Sequence, residues 1–364
     1  QLLTALAKIV PLPPEVRDEF RTRLNGNWAP VVAGVLGDIG PAAAPFLPDL
    51  IAIFKPGTAS LTAIGRALGK IGGDGIAVLV AALDSPVPAN GFNALPGAAL
   101  EGLQAAGSQA VQALPALLAR LRQPLSAADH SSVLRAIRGL GPGAASAGPD
   151  LITMFLDEQV QDPFDGFSRA LEAFGPEVVP FVPQLTEALG QPAREPRHAP
   201  ILRLLAGLIP HGAEVLPAFR DALRRANSGE WYAGDSDRRL YVARAAIDGL
   251  AAVGAGAAAA LPELALAYRT FTGTPPGDAR EAVLAVYGKI GGDLVPVIRA
   301  ALTDPSWRIR VAAVRALGDT GDTSADTHAA LRALETDASS KVRARAVAVL
   351  KKLDAPAKKR KRKA

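Results

Sequence analysis

The sequence predicts an all-α fold, an α-solenoid of about nine to ten helical hairpins followed by a disordered basic carboxyl-terminal tail. The chain has 364 residues, more than a single hydrophobic core usually serves, so several domains or an elongated array are expected. Hydrophobic residues make up 49% of it and aromatic residues only 5%, which favours close-packed helices over sheets. A helix end also recurs along the chain, with a period of about 34 residues.

The recurring helix end is a glycine-centred turn, as in "LGDIGPAAAPFLPDL" at 36–50 and "YGKIGGDLVPVIRAAL" at 287–302. Glycine closes a last helical turn in the left-handed conformation, and a following proline suits the first turn of a new helix. Each copy therefore predicts one helical hairpin. The aligned turn residues lie 30 to 44 residues apart and are Gly40, Gly72, Gly107, Gly141, Gly175, Pro210, Gly254, Gly291 and Gly321.

One hairpin is too small to be stable alone, because ordering about 34 residues costs on the order of 50 kcal/mol. Neighbouring hairpins must therefore stack. The helix predicted at 306–318 fits this arrangement because it carries two apolar stripes, one of Ile309, Ala312, Ala313, Ala316 and Leu317 and one that begins with Val311 and Val314. We predict a solenoid over residues 1–354 and a disordered Lys/Arg-rich tail over 355–364.

Two carboxyl-terminal segments, "DPSWRIRVAAVRALGDTG" and "DASSKVRARAVAVLKKL", resemble the HEAT-repeat superfamily, including the short HEAT-like repeats of bacterial proteins. The resemblance implies a structural hydrogen-bond ladder in which Asp304 goes with Arg310 and Asp337 with Arg343. Earlier copies mostly lack this pair. The resemblance implies an α-solenoid but leaves function open, since such arrays serve as scaffolds, transport receptors, nucleic-acid binders and, rarely, enzymes.

Charge is distributed unevenly within the repeat. Residues 358–363 supply six positive charges, so residues 1–357 hold 34 basic and 35 acidic side chains, a net charge of −1. The nine segments that end at the turn contain 20 basic and 8 acidic residues, against 8 and 12 in their nine partner segments. The resemblance implies that the turn-ending helices line the concave side, which we therefore expect to be net positive.

A column of arginines sharpens this expectation, because equivalent positions of stacked repeats line up. Six residues before the turn residue lie Arg66, Arg135, Arg169 and Arg315, and Glu101 and Asp248 occupy the same position in two other repeats. The arginines are candidate partner-binding residues. Alternatively, they bond the carbonyl groups of the next repeat, or Glu101 and Asp248.

The carboxyl-terminal end is the most basic region, with eleven basic residues and one acidic residue between Lys341 and Lys363. The final helix can bury one apolar face and leave a basic face. Candidate phosphate contacts are Lys341, Arg345, Lys352, Lys358, Lys359, Arg360, Lys361, Arg362 and Lys363. Alternatively, the tail only keeps the protein soluble.

The longest interval contains "RRANSGEWYAGDSDRRLY", from Arg224 to Tyr241, with two runs typical of loops. Trp231 and Tyr232 lie between these runs. Exposed aromatic side chains on an inserted loop would be candidate anchors for a protein partner. Alternatively, Trp231 folds back and covers a junction between repeats.

The sequence lacks several signatures of catalysis. It has no cysteine, and its four histidines lie in different repeats without the spacing of a metal site. We predict no catalytic residue, no metal and no cofactor. No apolar run approaches about 20 residues, so we expect no membrane association and a cytoplasmic location, although a chain that begins with Gln1 is processed or a fragment.

The function predicted from the sequence is a noncatalytic scaffold that binds an acidic or helical protein partner. The alternative is binding of DNA or RNA through the basic face and the tail. A third and weaker alternative is a DNA glycosylase built on HEAT-like repeats, which would use a basic cleft, aromatic side chains and a catalytic carboxylate.

Overall fold

A computed structural model of the chain describes residues 14–85, 94–157, 166–191, 197–212, 214–273 and 278–355. These residues form helices and connecting turns, and the described ranges contain no β-strand. They divide into two compact units, residues 1–180 and 181–364. Within each unit, helices alternate in two roles. We call a helix that ends at the recurrent turn, or occupies the equivalent place, a B helix, and the helix that precedes it an A helix.

The first unit contains five A–B pairs among its described residues. They are α1 Pro14–Leu24 with α2 Ala29–Ile39, α3 Leu47–Ile53 with α4 Leu61–Ile71, α5 Asp74–Ala82 with α6 Leu95–Ala106, α7 Leu114–Leu121 with α8 Ala127–Leu140, and α9 Gly148–Leu156 with α10 Gly166–Glu172.

The second unit also contains five A–B pairs among its described residues. They are α11 Val182–Leu189 with α12 His198–Leu208, α13 Leu216–Ser228 with α14 Ser236–Val253, α15 Leu261–Thr270 with α16 Arg280–Ile290, α17 Val295–Ala300 with α18 Trp307–Thr320, and α19 Ala325–Ala333 with α20 Ser340–Asp354. In each unit the B helices of successive pairs pack against one another. The predicted all-α solenoid of hairpins is confirmed.

The recurrent turn differs in detail from the prediction. At Gly40 the backbone has φ 70° and ψ −142°, and Gly107 and Gly141 are similar, so these glycines are not in the left-handed helical region. Only glycine readily adopts positive φ with this ψ, because the side chain of any other residue would clash with the backbone. A 3₁₀ helix then begins at the glycine, as in Gly40–Phe46, and the prolines expected in the next α-helix lie in this segment instead. Gly321 does adopt the left-handed helical conformation.

The B helices approach closely because small residues lie between them. The clearest case is α4 against α6, where Gly65 faces Ala98 and Gly69 faces Gly102. A methyl group on Gly69 would overlap the carbonyl oxygen of Gly102, so only glycine fits there. This close contact explains a composition rich in alanine and glycine and poor in aromatic residues.

The two apolar stripes of α18 have the predicted role. Ile309, Val314 and Leu317 are fully buried, and Val311 is 8% exposed. The helix packs against α16 on one side, α20 on the other, and α17 of its own hairpin. A helix in the middle of a stack has neighbours on both sides, and that is why it needs both stripes.

Two helical segments have the length and mean hydropathy of a membrane-spanning helix. The prediction that no apolar run approaches this length is therefore too strong. The two segments are Ala29–Ile53 and Ser236–Thr270, with mean hydropathies of 1.4 and 1.6. Each is divided at a glycine, Gly40 or Gly254, into an α-helix, a 3₁₀ helix and a second α-helix. Their α-helices pack against other helices of the same unit, so length and composition alone are weak evidence for a membrane span.

Candidate binding surface

The B helices of the first unit expose one strip of side chains at helical spacing. On α4 the strip consists of Thr62, Arg66 and Lys70, which are exposed while Ile64, Ala67 and Leu68 are buried. Equivalent positions on neighbouring helices extend it. We call this set the unit 1 strip: Val31, Gly34, Asp38, Thr62, Arg66, Lys70, Gly97, Glu101, Gln104, Arg135, Arg138 and Arg169.

Glu101 lies between two arginines of the predicted column. Its carboxylate accepts hydrogen bonds from Arg66 Nε at 3.1 Å and Arg66 Nη2 at 2.6 Å, and Arg135 Nη2 lies 3.9 Å from its other oxygen. The Arg66 and Arg135 side chains stay 56% and 52% exposed. The alternative, in which the arginines bond a neighbouring repeat, therefore holds for Arg66, and the role of the column in partner binding stays a prediction.

The two ends of the unit 1 strip differ in character. One turn after Arg66 on α4, Lys70 Nζ lies 2.8 Å from the carboxylate of Asp38 on α2. The centre of the strip therefore consists of paired charges. At the start of α2, Trp28 and Val31 are exposed apolar side chains, 54% and 44% accessible, and Arg23 lies over the Trp28 ring. The strip thus has an apolar end next to its paired centre.

The other end of the strip is cationic. Arg138 on α8 and Arg169 on α10 are exposed, and neither forms an ion pair within the described ranges. The role of Arg169 in partner binding stays a prediction. The column of this unit thus contains three arginines and one carboxylate, Glu101, which lies near Arg66 and Arg135.

In the second unit, Asp248 on α14 and Arg315 on α18 occupy the same offset from their turn glycines. Asp248 lies 3.9 Å from Arg244 on the same helix, and burial raises the pKa of its carboxyl group. Arg315 on α18 is exposed, with no ion pair to a described residue. Its role as a partner-binding residue stays a prediction.

The basic residues of α20 have different environments. Lys341 Nζ lies 4.5 Å from the centre of the Trp307 ring, and Arg345 is exposed. Lys352 was predicted to be available for phosphate, and this is corrected by its contacts within the protein. Its Nζ donates to the carbonyl oxygen of Gly318 at 2.6 Å and pairs with Asp319 at 3.1 Å. It therefore satisfies the end of the neighbouring helix. The tail residues Lys358, Lys359, Arg360, Lys361, Arg362 and Lys363 lie outside the described residues.

Trp231 and Tyr232 are core residues, which corrects their prediction as exposed anchors. They are 4% and 8% exposed. The Trp231 ring stacks on the His198 ring with centroids 4.0 Å apart, and the Tyr232 hydroxyl lies 3.4 Å from His198 Nδ1. Burial lowers the pKa of His198 to about 4. The alternative prediction, a tryptophan folded back against a repeat, is the one that the structure favours.

The carboxyl-terminal ladder is present and structural. Arg310 donates from Nε and Nη2 to the two carboxylate oxygens of Asp337, both at 2.8 Å, and from Nη1 to the backbone oxygen of Asp304. Arg343 repeats the backbone contact with Asp337. The pairing therefore runs from one repeat to the next, and these hydrogen bonds hold the pKa of Asp337 below its usual value.

The ladder also reaches one repeat further than its sequence pattern indicates. Arg280 donates to the carboxylates of Asp278 and Asp304, each at 2.7 Å. Asp278 is 4% exposed and Asp304 is 13% exposed, so both carboxylates are buried and paired. Sequence reasoning missed this rung because Arg280 follows its aspartate by two residues rather than six. The "GDAR" at 277–280 was the available signal.

The described residues contain no group of three or more His, Asp or Glu side chains placed to hold a metal ion. The exposed strip of the first unit is a row of side chains on successive B helices. Its side chains offer charge, hydrogen bonds and a small apolar area.

Stacked helical hairpins of this kind define an α-solenoid repeat protein. A family model described as HEAT repeats matches residues 266–351, and this match confirms the resemblance. No curated protein matches the chain.

Three solved structures are similar in fold. An engineered protein is 15% identical, with TM-score 0.41, and the match covers 93% of this chain and 98% of that one. Importin beta is 14% identical, with TM-score 0.47 and 96% of this chain covered. Kap95 in complex with Nup1 is 14% identical, with TM-score 0.49 and 96% covered. The chain spans 59% and 54% of the lengths of the last two.

Proposed function

We propose that the protein is a noncatalytic scaffold that binds an acidic segment of a protein partner along the unit 1 strip. The observation that carries the proposal is the column of Arg66, Glu101, Arg135 and Arg169, presented by four successive B helices. A surface that repeats from helix to helix suits an extended or helical segment better than a compact small molecule.

The charge of the strip favours an acidic partner. Glu101 already accepts from Arg66 and lies near Arg135, so one carboxylate serves two guanidinium groups. Arg138 and Arg169 add two positive charges that have no ion pair among the described residues. Carboxylates of a partner would form charge-assisted hydrogen bonds with the guanidinium protons that remain free.

The apolar end of the strip favours a protein over another polyanion. Trp28 and Val31 are large apolar side chains that are about half exposed. Trp and Arg are the residues that most often dominate the energy of protein interfaces, usually around one apolar anchor. A segment with one apolar side chain and several carboxylates would satisfy both ends of the strip.

The test is retention of a partner by charge-reversed variants. Arg138→Glu with Arg169→Glu reverses the cationic end, and Arg120→Glu with Arg122→Glu makes the same charge change on the A-helix side of the same unit. We expect the parent and the A-helix variant to capture the same protein from the native host, and the strip variant to lose it. Equal capture by all three would refute the proposed surface.

A further inference from the structure

The exposed face of α18 and α20 carries positive charge that the surrounding carboxylates do not balance. Arg308, Arg315, Lys341 and Arg345 are exposed and form no ion pair with a described residue. Five of the acidic residues between 304 and 354 are already paired: Asp304 with Arg280, Asp319 with Lys352, Asp326 with Arg299, Asp337 with Arg310 and Asp354 with His328.

The two remaining carboxylates of this region do not change the balance on this face. Asp322 accepts hydrogen bonds from the hydroxyl groups of Ser324 and Thr327 at the start of α19. Glu335 is exposed in the 3₁₀ turn Leu334–Thr336, which follows the A helix α19. The face formed by α18 and α20 is therefore a cationic surface without an internal counterion. We call Arg308, Arg315, Lys341 and Arg345 the α18–α20 surface.

The charges of this surface are spread out rather than gathered in one pocket. Arg308 and Arg315 are two helical turns apart, about 10 Å along α18, and Lys341 and Arg345 are one turn apart, about 6 Å along α20. The two helices pack side by side. Trp307 holds the near ends together, with Arg308 5.4 Å and Lys341 4.5 Å from its ring centre.

The centre of the surface offers nothing for an apolar anchor. Ala312 lies between Arg308 and Arg315 on α18, and the exposed Val347 lies on another side of α20 by helical spacing. This is the reverse of the unit 1 strip, where Trp28 and Val31 are exposed. Spaced positive charges without an apolar anchor suit a polyanion with regularly spaced negative charges, which is bound through its backbone alone.

We propose that the α18–α20 surface binds the phosphodiester backbone of nucleic acid without base readout. The contacts are ion pairs from Arg308, Arg315, Lys341 and Arg345 to phosphate oxygens. The proposal uses a surface, a partner and a unit that differ from those of the scaffold function, so either can fail alone.

The experiment is a salt titration of binding to a fluorescent 20-base-pair duplex of arbitrary sequence, measured by anisotropy from 50 to 200 mM KCl on the full chain. In the surface variant, Arg308, Arg315 and Arg345 become alanine. In the control, Arg122, Arg238 and Arg332 become alanine, which removes the same charge elsewhere. Since each lost phosphate contact lowers the slope of log K against log salt by about 0.9, the surface variant should lose about 3 units of slope. The control should keep the parent slope.

A lysine version of the surface variant separates contact from folding. Lysine keeps each point charge, so Arg308→Lys with Arg315→Lys and Arg345→Lys should retain most of the binding. Circular dichroism shows whether each variant is folded. Parent-like slopes in a folded alanine variant would overturn the proposal. So would equally tight, salt-sensitive binding to polyglutamate or to anionic lipid vesicles, because the surface would then recognise charge from another source.

Discussion

Acidification should destabilise the second unit through His198. The imidazole is fully buried between Trp231 and Tyr232, and burial lowers its pKa from 6.5 to about 4. In the unfolded chain the same group titrates near 6.5, so the unfolded state binds the proton first as the pH falls. Stability contributed by the neutral imidazole is therefore present above pH 6.5 and is lost as the pH falls towards 4.

The size of this effect follows from the two pKa values. With 6.5 unfolded and about 4 folded, linkage gives a loss of about 2 kcal/mol at pH 5 and about 3 kcal/mol at pH 4. Arg225 is the positive charge that acts on His198, and it lowers the pKa further. A hydrogen bond with the Gln191 backbone raises the pKa of His198, but burial outweighs it.

The assay is urea unfolding followed by tryptophan fluorescence at pH 7 and pH 5, on the parent and on His198→Phe. Phenylalanine keeps a flat ring against Trp231 and does not titrate. Carboxylates elsewhere titrate equally in both proteins, so the comparison isolates His198. The parent should lose about 2 kcal/mol more than the variant between the two pH values. An equal loss in both proteins would show that His198 is not held neutral by its site.

Three further predictions concern packing, the ladder and the tail. In a denaturant titration, Gly69→Ala should lower the free energy of unfolding by about 1–3 kcal/mol, because the added methyl group overlaps Gly102. In the control Gly34→Ala, no atom lies within 4 Å of the added methyl group, so the free energy of unfolding should stay the same or rise. Arg310→Ala should lower the free energy of unfolding by about 3 kcal/mol, because it leaves the buried Asp337 carboxylate unpaired. A double-mutant cycle with Asp337→Ala should show a coupling energy above about 1 kcal/mol, and additive losses would contradict the ladder. Deleting residues 356–364 should weaken duplex binding and lower its salt slope but leave capture of the protein partner intact, in the assays described above. Loss of both duplex binding and partner capture would show that the two activities are not separate.

The architecture of the chain was accessible from sequence because it repeats. The glycine turns and the two stripes of α18 follow from periodic patterns. The Asp304–Arg310 and Asp337–Arg343 contacts were implied by the family resemblance, and the structure has both of them. The 3₁₀ helices after Gly40 and Gly107 were not predicted, because their "GPAAAPF" and "GSQAVQA" segments also suit a continuing α-helix. The choice depends on tertiary packing that a local pattern does not contain.

The side-chain environments of the candidate site were only partly accessible. The column of arginines was located by its offset, but the bond between Arg66 and Glu101 depends on which helices are neighbours. Trp231 was misplaced because its partner, His198, lies 33 residues earlier in the chain and has no local signature. Lys352 was assigned to solvent, since nothing in its own helix shows the free carbonyl of Gly318 beside it.

The central claim is that partners bind along the exposed strip of the B helices, and the absence of cysteine allows it to be tested with single labels. A cysteine in place of Gln104 on α6, or in place of Thr153 on the A helix α9, would carry a benzophenone photo-crosslinker; both positions are exposed. The account predicts that the label at 104 forms a covalent adduct with the captured partner and that the label at 153 does not. Adducts from 153 but not from 104 would contradict it.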